Sequence, residues 1–79
     1  MSDKPPRFLS VKQVADELAV TPAQVYTLLK SGEMPAIQVG PKRVWRIERV
    51  KLEEYIEQQY AATRAAVAAG DVADEEGED

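Results

Sequence analysis

Residues 19–40 read AVTPAQVYTLLKSGEMPAIQVG, and the fold turns on how this stretch is punctuated. Thr21-Pro22-Ala23-Gln24 is a helix start. Threonine serves as N-cap, and proline suits the first helical position because the N–H it lacks would have no partner there. Glutamine three residues after the cap completes a capping box. The helix is expected to run to about Ser31, with Gly32 suited to the left-handed cap that follows. Pro35 ends any helical reading. At about 100° per residue, Val25, Leu28 and Leu29 cluster on one side and belong to the core. The opposite side is centred on Ala23, Thr27 and Lys30, flanked by Gln24, Tyr26 and Ser31. Those residues are small, hydroxyl-bearing or basic, and no acid is among them.

Upstream lies a second capped helix. Ser10 is its cap and Gln13 stands at the capping-box position, while Val11, Val14, Ala15 and Leu18 fall at i, i+3, i+4 and i+7 as one apolar stripe. Two capped helices joined by a short break form a helix-turn-helix, whose second helix commonly enters a DNA major groove. Downstream, AIQV and VWRI are short β-rich runs of period two, separated by the turn GPKR at 40–43. The alternation predicts Ile37, Val39, Trp45 and Ile47 facing inward and Arg46 outward. A third helix is expected from Arg49, with Leu52, Tyr55 and Ile56 apolar, through the alanine-rich stretch to Ala69, where Gly70 ends it.

The expected fold class is therefore mostly α with a small two-stranded β wing, a winged helix-turn-helix of order α-α-β-β-α. Residues 1–8 are expected to be a disordered N-terminal segment and 9–60 the DNA-binding domain. Residues 61–70 form an alanine-rich helical extension and 71–79 an acidic disordered tail, DVADEEGED. No internal repeat is present.

The formal net charge is −4, which on its face argues against a phosphate-bearing partner. The charge is unevenly distributed, however: residues 1–47 carry +3 and residues 48–79 carry −7. Such asymmetry points to a polyanion-binding face plus an acidic tail. The chain has no cysteine and no histidine, so disulfides, thiolate or imidazole metal sites, and cysteine or histidine catalysis are excluded. No cofactor is implied. Catalysis would have to rest on carboxylates, lysines or hydroxyls, and the tail lacks the ligand spacing of a calcium loop, so no enzyme activity is expected. No run has the length or apolarity of a signal peptide or membrane span, so the expectation is a soluble, cytoplasmic, nucleoid-associated protein.

Candidate contact residues follow from chemistry. Gln24 can read adenine through its amide, Thr27 can meet a thymine methyl, and Tyr26 flanks both. Thr21, Lys30, Lys42, Arg43 and Arg46 suit phosphates. The last three form a basic hairpin tip and flank where a winged helix lays a strand pair along the backbone or minor groove. Three to five phosphate contacts would give a salt slope of roughly −3 to −4.5. Each residue also has a plainer structural reading: Thr21 as a cap, Tyr26 as edge packing, Lys42 and Arg43 as ordinary turn residues.

The segment LSVKQVADELAVTPAQVYTLLKSGEMPAIQVGPKRVWRIERVKLEEYI, Leu9 to Ile56, closely resembles the excisionase-type, MerR-like helix-turn-helix family of bacteria and their phages. The most specific parts are VYTLLKSGEMPAIQVG, and WRI followed by a helix with LEEYI. The resemblance implies a winged helix that binds DNA as a small site-specific factor, either directing excision during DNA recombination or regulating transcription. It implies recognition by Thr21–Ser31 and by the wing at Gly40–Arg46. Ala23 and Thr27 stand where relatives often carry bases, and Ala19 where glycine is common in the turn, which predicts some backbone strain or a slightly different interhelical angle there.

The partners expected are double-stranded DNA, with self-association or cooperative neighbours along it. The alanine-rich extension can supply a dimer contact through close helix approach, or be only a helix end of high propensity. The competing class is a protein-interaction module of the same fold that docks onto a recombinase or RNA polymerase through a nearly neutral second helix. The acidic tail reads as a solubilising end, or as a segment that folds over the basic wing and competes with phosphate.

Overall fold

The computed structural model describes residues 6–72. The expectations for residues 1–5 and for most of the acidic tail, 73–79, lie outside the described residues. The elements run β1 (Phe8–Leu9), α1 (Val11–Leu18), α2 (Pro22–Ser31), β2 (Ile37–Val39), β3 (Val44–Glu48) and α3 (Arg49–Ala69). Three helices thus pack with a small antiparallel sheet of strand order β1-β3-β2.

Both helix starts carry the reciprocal bonds their sequences call for. The Gln13 N–H donates to Ser10 Oγ at 3.1 Å while the Ser10 N–H donates to Gln13 Oε1 at 2.9 Å. At α2 the Gln24 N–H donates to Thr21 Oγ1 at 3.2 Å, and the Thr21 N–H donates to Gln24 Oε1 at 3.1 Å. Each box satisfies two backbone donors that the first helical turn would otherwise leave unpaired. Between the helices, Ala19 adopts φ 60°, ψ 43°, the left-handed conformation. Its N–H donates to the Ala15 and Asp16 carbonyls, and the Val20 N–H donates to the Ala15 carbonyl at 2.9 Å. Those bonds end α1, at the cost of a strained alanine.

Leu9, Val14, Val25, Met34, Ile47 and Leu52 are the largest fully buried side chains, joined by Val11, Ala15 and Leu29. Every element except β2 contributes, and each of these valine, leucine, isoleucine and methionine side chains stabilises the fold by about 1.5–3 kcal/mol. Leu28, Trp45, Tyr55 and Ile56 pack around this centre, half-buried. Arg49 ties α1 to α3 through Glu17 at 3.9 Å and Glu53 at 3.6 Å.

Two expectations are corrected. The sheet has three strands, because Phe8 pairs with Glu48 and Leu9 with Ile47. Phe8 therefore belongs to the folded body. Arg7 extends the pairing, receiving the Arg49 N–H on its carbonyl at 2.7 Å and bonding Glu48 with its guanidinium at 3.0 Å.

The second correction is the facing of β2. Ile37 is 49% exposed and Val39 41%. The register pairs Ile37 with Arg46, Gln38 with Trp45 and Val39 with Val44. Directly opposed residues share a face, so Ile37 and Val39 stand with Arg46 and Val44 on the outer side. Gln38 takes the inward phase, and its Nε2 donates to the Arg43 carbonyl at 3.2 Å. Leu9 from β1 and Met34 from the preceding loop fill the core instead.

α3 is anchored only at its start. Leu52 is buried and Tyr55 and Ile56 are half-buried, but from Glu57 onward every residue of the helix is exposed except Ala66. The helix is ~32 Å long at ~1.5 Å per residue and gives the molecule its 45 Å dimension against 27 and 21 Å. Gly70, at φ 73°, closes it. No helix among the described residues is long and apolar enough to cross a membrane.

Candidate nucleic-acid interface

α2 turns two sides to two environments. Val25 and Leu29 are buried and Leu28 is half-buried, so the helix is held by one side against α1 and the core. Ala23, Gln24, Tyr26, Thr27, Lys30 and Ser31 are exposed, as the periodicity predicts. The outward face contains no acid.

The hydrogen bonds restrict what these side chains can offer. Gln24 Oε1 already accepts from the Thr21 N–H and, at 3.4 Å, from the Thr21 hydroxyl. Only its NH2 group is left to address a base, so while the box is intact Gln24 donates but cannot grip adenine with both amide atoms. The Thr27 hydroxyl donates to the Ala23 carbonyl at 3.2 Å, leaving its methyl and its acceptor lone pairs available. Ser31 is similarly tied, donating to the Leu28 carbonyl at 3.0 Å and accepting from the Glu33 N–H at 3.3 Å. Tyr26 is 41% exposed and forms no side-chain hydrogen bond among the described residues. Lys30 lies in the last turn of α2, where its charge also favours the helix C-terminus.

A groove borders this face. Gln24, Thr27 and Leu28 line it from α2, Leu18 and Val20 from α1 and the turn, and Tyr55 from α3. Burial, and secondarily the Glu33 carboxylate, pushes the Tyr55 phenol above its ordinary pKa. The sequence marked Tyr55 only as an apolar position of the third helix; its position beside Gln24 and Thr27 depends on the docking of α3, which no local pattern announces.

The β2–β3 turn holds Lys42 and Arg43, both exposed. Gly40 supplies a positive φ of 77°, and Arg43 adopts φ 53°, unusual for a residue with a Cβ. The Arg43 N–H donates to the Gly40 carbonyl at 3.0 Å. Arg46 faces outward as expected, but it is half-buried on the sheet, its Nη1 donating to the Trp45 carbonyl at 2.6 Å. No hydrogen bond or ion pair among the described residues joins the α2 set to the hairpin set, so they form two patches of one surface chemistry.

The ion pairs sort the bases into two groups. Arg7, Lys12, Arg49 and Lys51 are each held by a carboxylate. Lys30, Lys42, Arg43, Arg46 and Arg64 make no ion pair among the described residues. Four of these five are the bases that α2 and the hairpin present.

Comparison with curated proteins and with solved structures gives no match. A family model described as "Helix-turn-helix domain" matches residues 8–60, more than half of the chain, and spans every element from β1 into α3. With the paired caps, the short strained turn and the acid-free outer face of α2 in place, the chain belongs to the helix-turn-helix domain family of DNA-binding proteins.

Proposed function

We propose that the protein binds duplex DNA sequence-specifically, as a transcription regulator or an excisionase-like directionality factor. α2 lies in a major groove and the β2–β3 hairpin acts as a wing along the backbone or adjacent minor groove. Gln24, Tyr26 and Thr27 address base edges, while Thr21, Lys30, Lys42, Arg43 and Arg46 hold phosphates. The observation that carries this reading is the sorting of the bases. Carboxylates already compensate Arg7, Lys12, Arg49 and Lys51, whereas Lys30, Lys42, Arg43 and Arg46 make no ion pair among the described residues and stand on an acid-free helix face and a hairpin. Such charges release counterions on meeting phosphate. Selection from a genomic duplex pool, with anisotropy binding at two salt concentrations, tests it. An enriched motif and a slope of roughly −3 to −4.5 are expected. Absence of binding at low salt refutes it.

One observation favours a second reading, docking onto a recombinase or RNA polymerase. Phe8, Ile37, Val39 and Val44 are all exposed on the outer sheet face, a cluster of large apolar side chains beside Arg46. If glutamate replacing Lys42, Arg43 and Arg46 leaves the cellular phenotype intact while Val39→Asp abolishes it, docking is the function and DNA contact is not.

A further inference from the structure

The exposed half of α3 carries a pattern that the DNA reading does not use. Ile56, Tyr60, Thr63 and Val67 are spaced four, three and four apart and fall within a sector of about 60° on the helix. Tyr60 is 62% exposed and Val67 59%. At its inner end the stripe runs into an open apolar groove formed by Leu18 with Tyr55, Ile56, Gln59, Tyr60 and Thr63. A helix of twelve residues beyond Glu57 with nothing packed on it is marginal in water, even when rich in alanine.

The charges beside the stripe indicate what covers it. Glu57 and Arg64 flank the same edge, one heptad apart, and neither makes an ion pair among the described residues. They are too far apart along the helix to meet each other, since only residues three or four apart are neighbours.

We infer that this face binds a second copy of the chain, the two α3 helices pairing antiparallel about a twofold axis between Tyr60 and Thr63. In that register Ile56 lies against Val67 of the second copy, and Tyr60 against its Thr63. Glu57 of each copy meets Arg64 of the other, twice by symmetry. The Gln59 and Ala66 edge closes the other side, where alanine lets the backbones approach. Val67 of the second copy then seats over Ile56 beside Leu18, filling the groove. A parallel pairing would bring Arg64 to Gln59 and leave both charges unmatched, so the charge pattern selects the antiparallel form. Because the surface lies on α3 and not on α2 or the hairpin, the inference stands independently of the DNA-binding reading.

The test is sedimentation equilibrium of the full chain without DNA, from about 1 μM to about 1 mM, a range set by the affinities of small interfaces. A reversible monomer–dimer equilibrium is expected. Val67→Glu should abolish it while leaving the circular dichroism melt of the domain in place, since Val67 is exposed in the single chain. Glu57→Arg alone and Arg64→Glu alone should each weaken the dimer by about tenfold, through like charges at both symmetric pairs. The double reversal should restore it, and mixing the two single variants should give heterodimers in preference to either homodimer. A monomer throughout the range would overturn the inference. So would a dimer that ignores both Val67→Glu and the charge reversals.

Discussion

Ala19→Gly should stabilise the protein, although it removes a methyl group and loosens the unfolded chain. Ala19 sits at φ 60°, ψ 43° between α1 and α2, with its N–H committed to the carbonyls that end α1. A residue with a Cβ in that conformation is disfavoured by about 1–2 kcal/mol, through contact of Cβ with the following carbonyl oxygen. Glycine removes that strain but adds unfolded-state entropy worth about 0.4–1 kcal/mol. Ala19 is exposed, so the lost methyl contributes little burial. The balance favours glycine by about 0.5–1 kcal/mol. For a domain of this size each kcal/mol shifts Tm by about 4–8 °C, so the expected rise is roughly 2–8 °C.

Thermal unfolding followed by circular dichroism at 222 nm (a wavelength at about the helical minimum) measures this, with Gly32→Ala as the internal control. Gly32 occupies φ 83° at the end of α2, and an added Cβ there would meet no atom within 4 Å. Its replacement therefore imposes backbone strain without a clash, and Tm should fall by a comparable amount. If Ala19→Gly leaves Tm unchanged or lowers it while Gly32→Ala lowers it, the turn does not hold alanine in a strained state and the reasoning fails.

Further predictions follow from the bases, the sheet and Tyr55. Neutralising Lys42, Arg43 or Arg46 to Gln should each reduce the salt slope of DNA binding by about 0.9, whereas Lys12→Gln, whose charge is already matched by Asp16, should leave the slope unchanged. Ile47→Ala, at a fully buried position, should cost about 2–5 kcal/mol in denaturant unfolding. Ile37→Thr, on the outer face, should stay within about 0.5 kcal/mol of the parent, and equal losses at the two sites would refute the β2 register. The folded-state pKa of Tyr55 is raised above its unfolded value, first by burial and then by Glu33. Its contribution to stability is therefore complete below pH about 10 and is lost as pH rises beyond that value. Tyr55→Phe should remove that part of the alkaline loss in melts taken across the range.

Residues 10–32 were legible because their chemistry is local. A capping box needs only a cap and a side chain three residues on, and a left-handed terminus needs only glycine, so Ser10 with Gln13, Thr21 with Gln24, and Gly32 fall where the sequence puts them. The facing of β2 was not legible. Ile37-Gln38-Val39 is a three-residue strand whose alternation fits either phase, and the choice is made by pairing with β3, a partner across a turn. β1 escaped for a related reason, since two residues after a proline pair carry no periodicity. One signal for it was present: Leu9 precedes the Ser10 cap and Val14 sits at the fourth helical position, the spacing of a hydrophobic staple, and both are buried. At the candidate interface the exposed set on α2 could be read from a helical wheel. The bond that occupies Gln24 follows from the same capping box, whereas the bond from Thr27 to the Ala23 carbonyl could not be read, because a helix threonine reaches solvent or backbone with equal ease.

Those bonds bear on how much sequence one copy can read. With the Gln24 carbonyl oxygen in the capping box and the Thr27 hydroxyl hydrogen on Ala23, the helix offers one amide donor group, one methyl face, a phenol and Lys30. Two good base contacts at about 2 kcal/mol each would discriminate by about a thousandfold, the low end of what specific DNA-binding proteins achieve. Phosphate contacts from Lys42, Arg43 and Arg46 raise affinity for every sequence alike and do not widen that ratio. Two copies joined through α3 would read two half-sites and roughly double the discrimination energy, to about a millionfold, with no new contact on either helix. A neutral recognition face and an exposed, stripe-bearing α3 are then parts of one solution. The dimer supplies what the face lacks, and Val67→Glu should reduce discrimination between cognate and random duplex toward the single-copy value, while affinity for random duplex falls as well, with a shallower salt slope, because one hairpin then meets the phosphates in place of two.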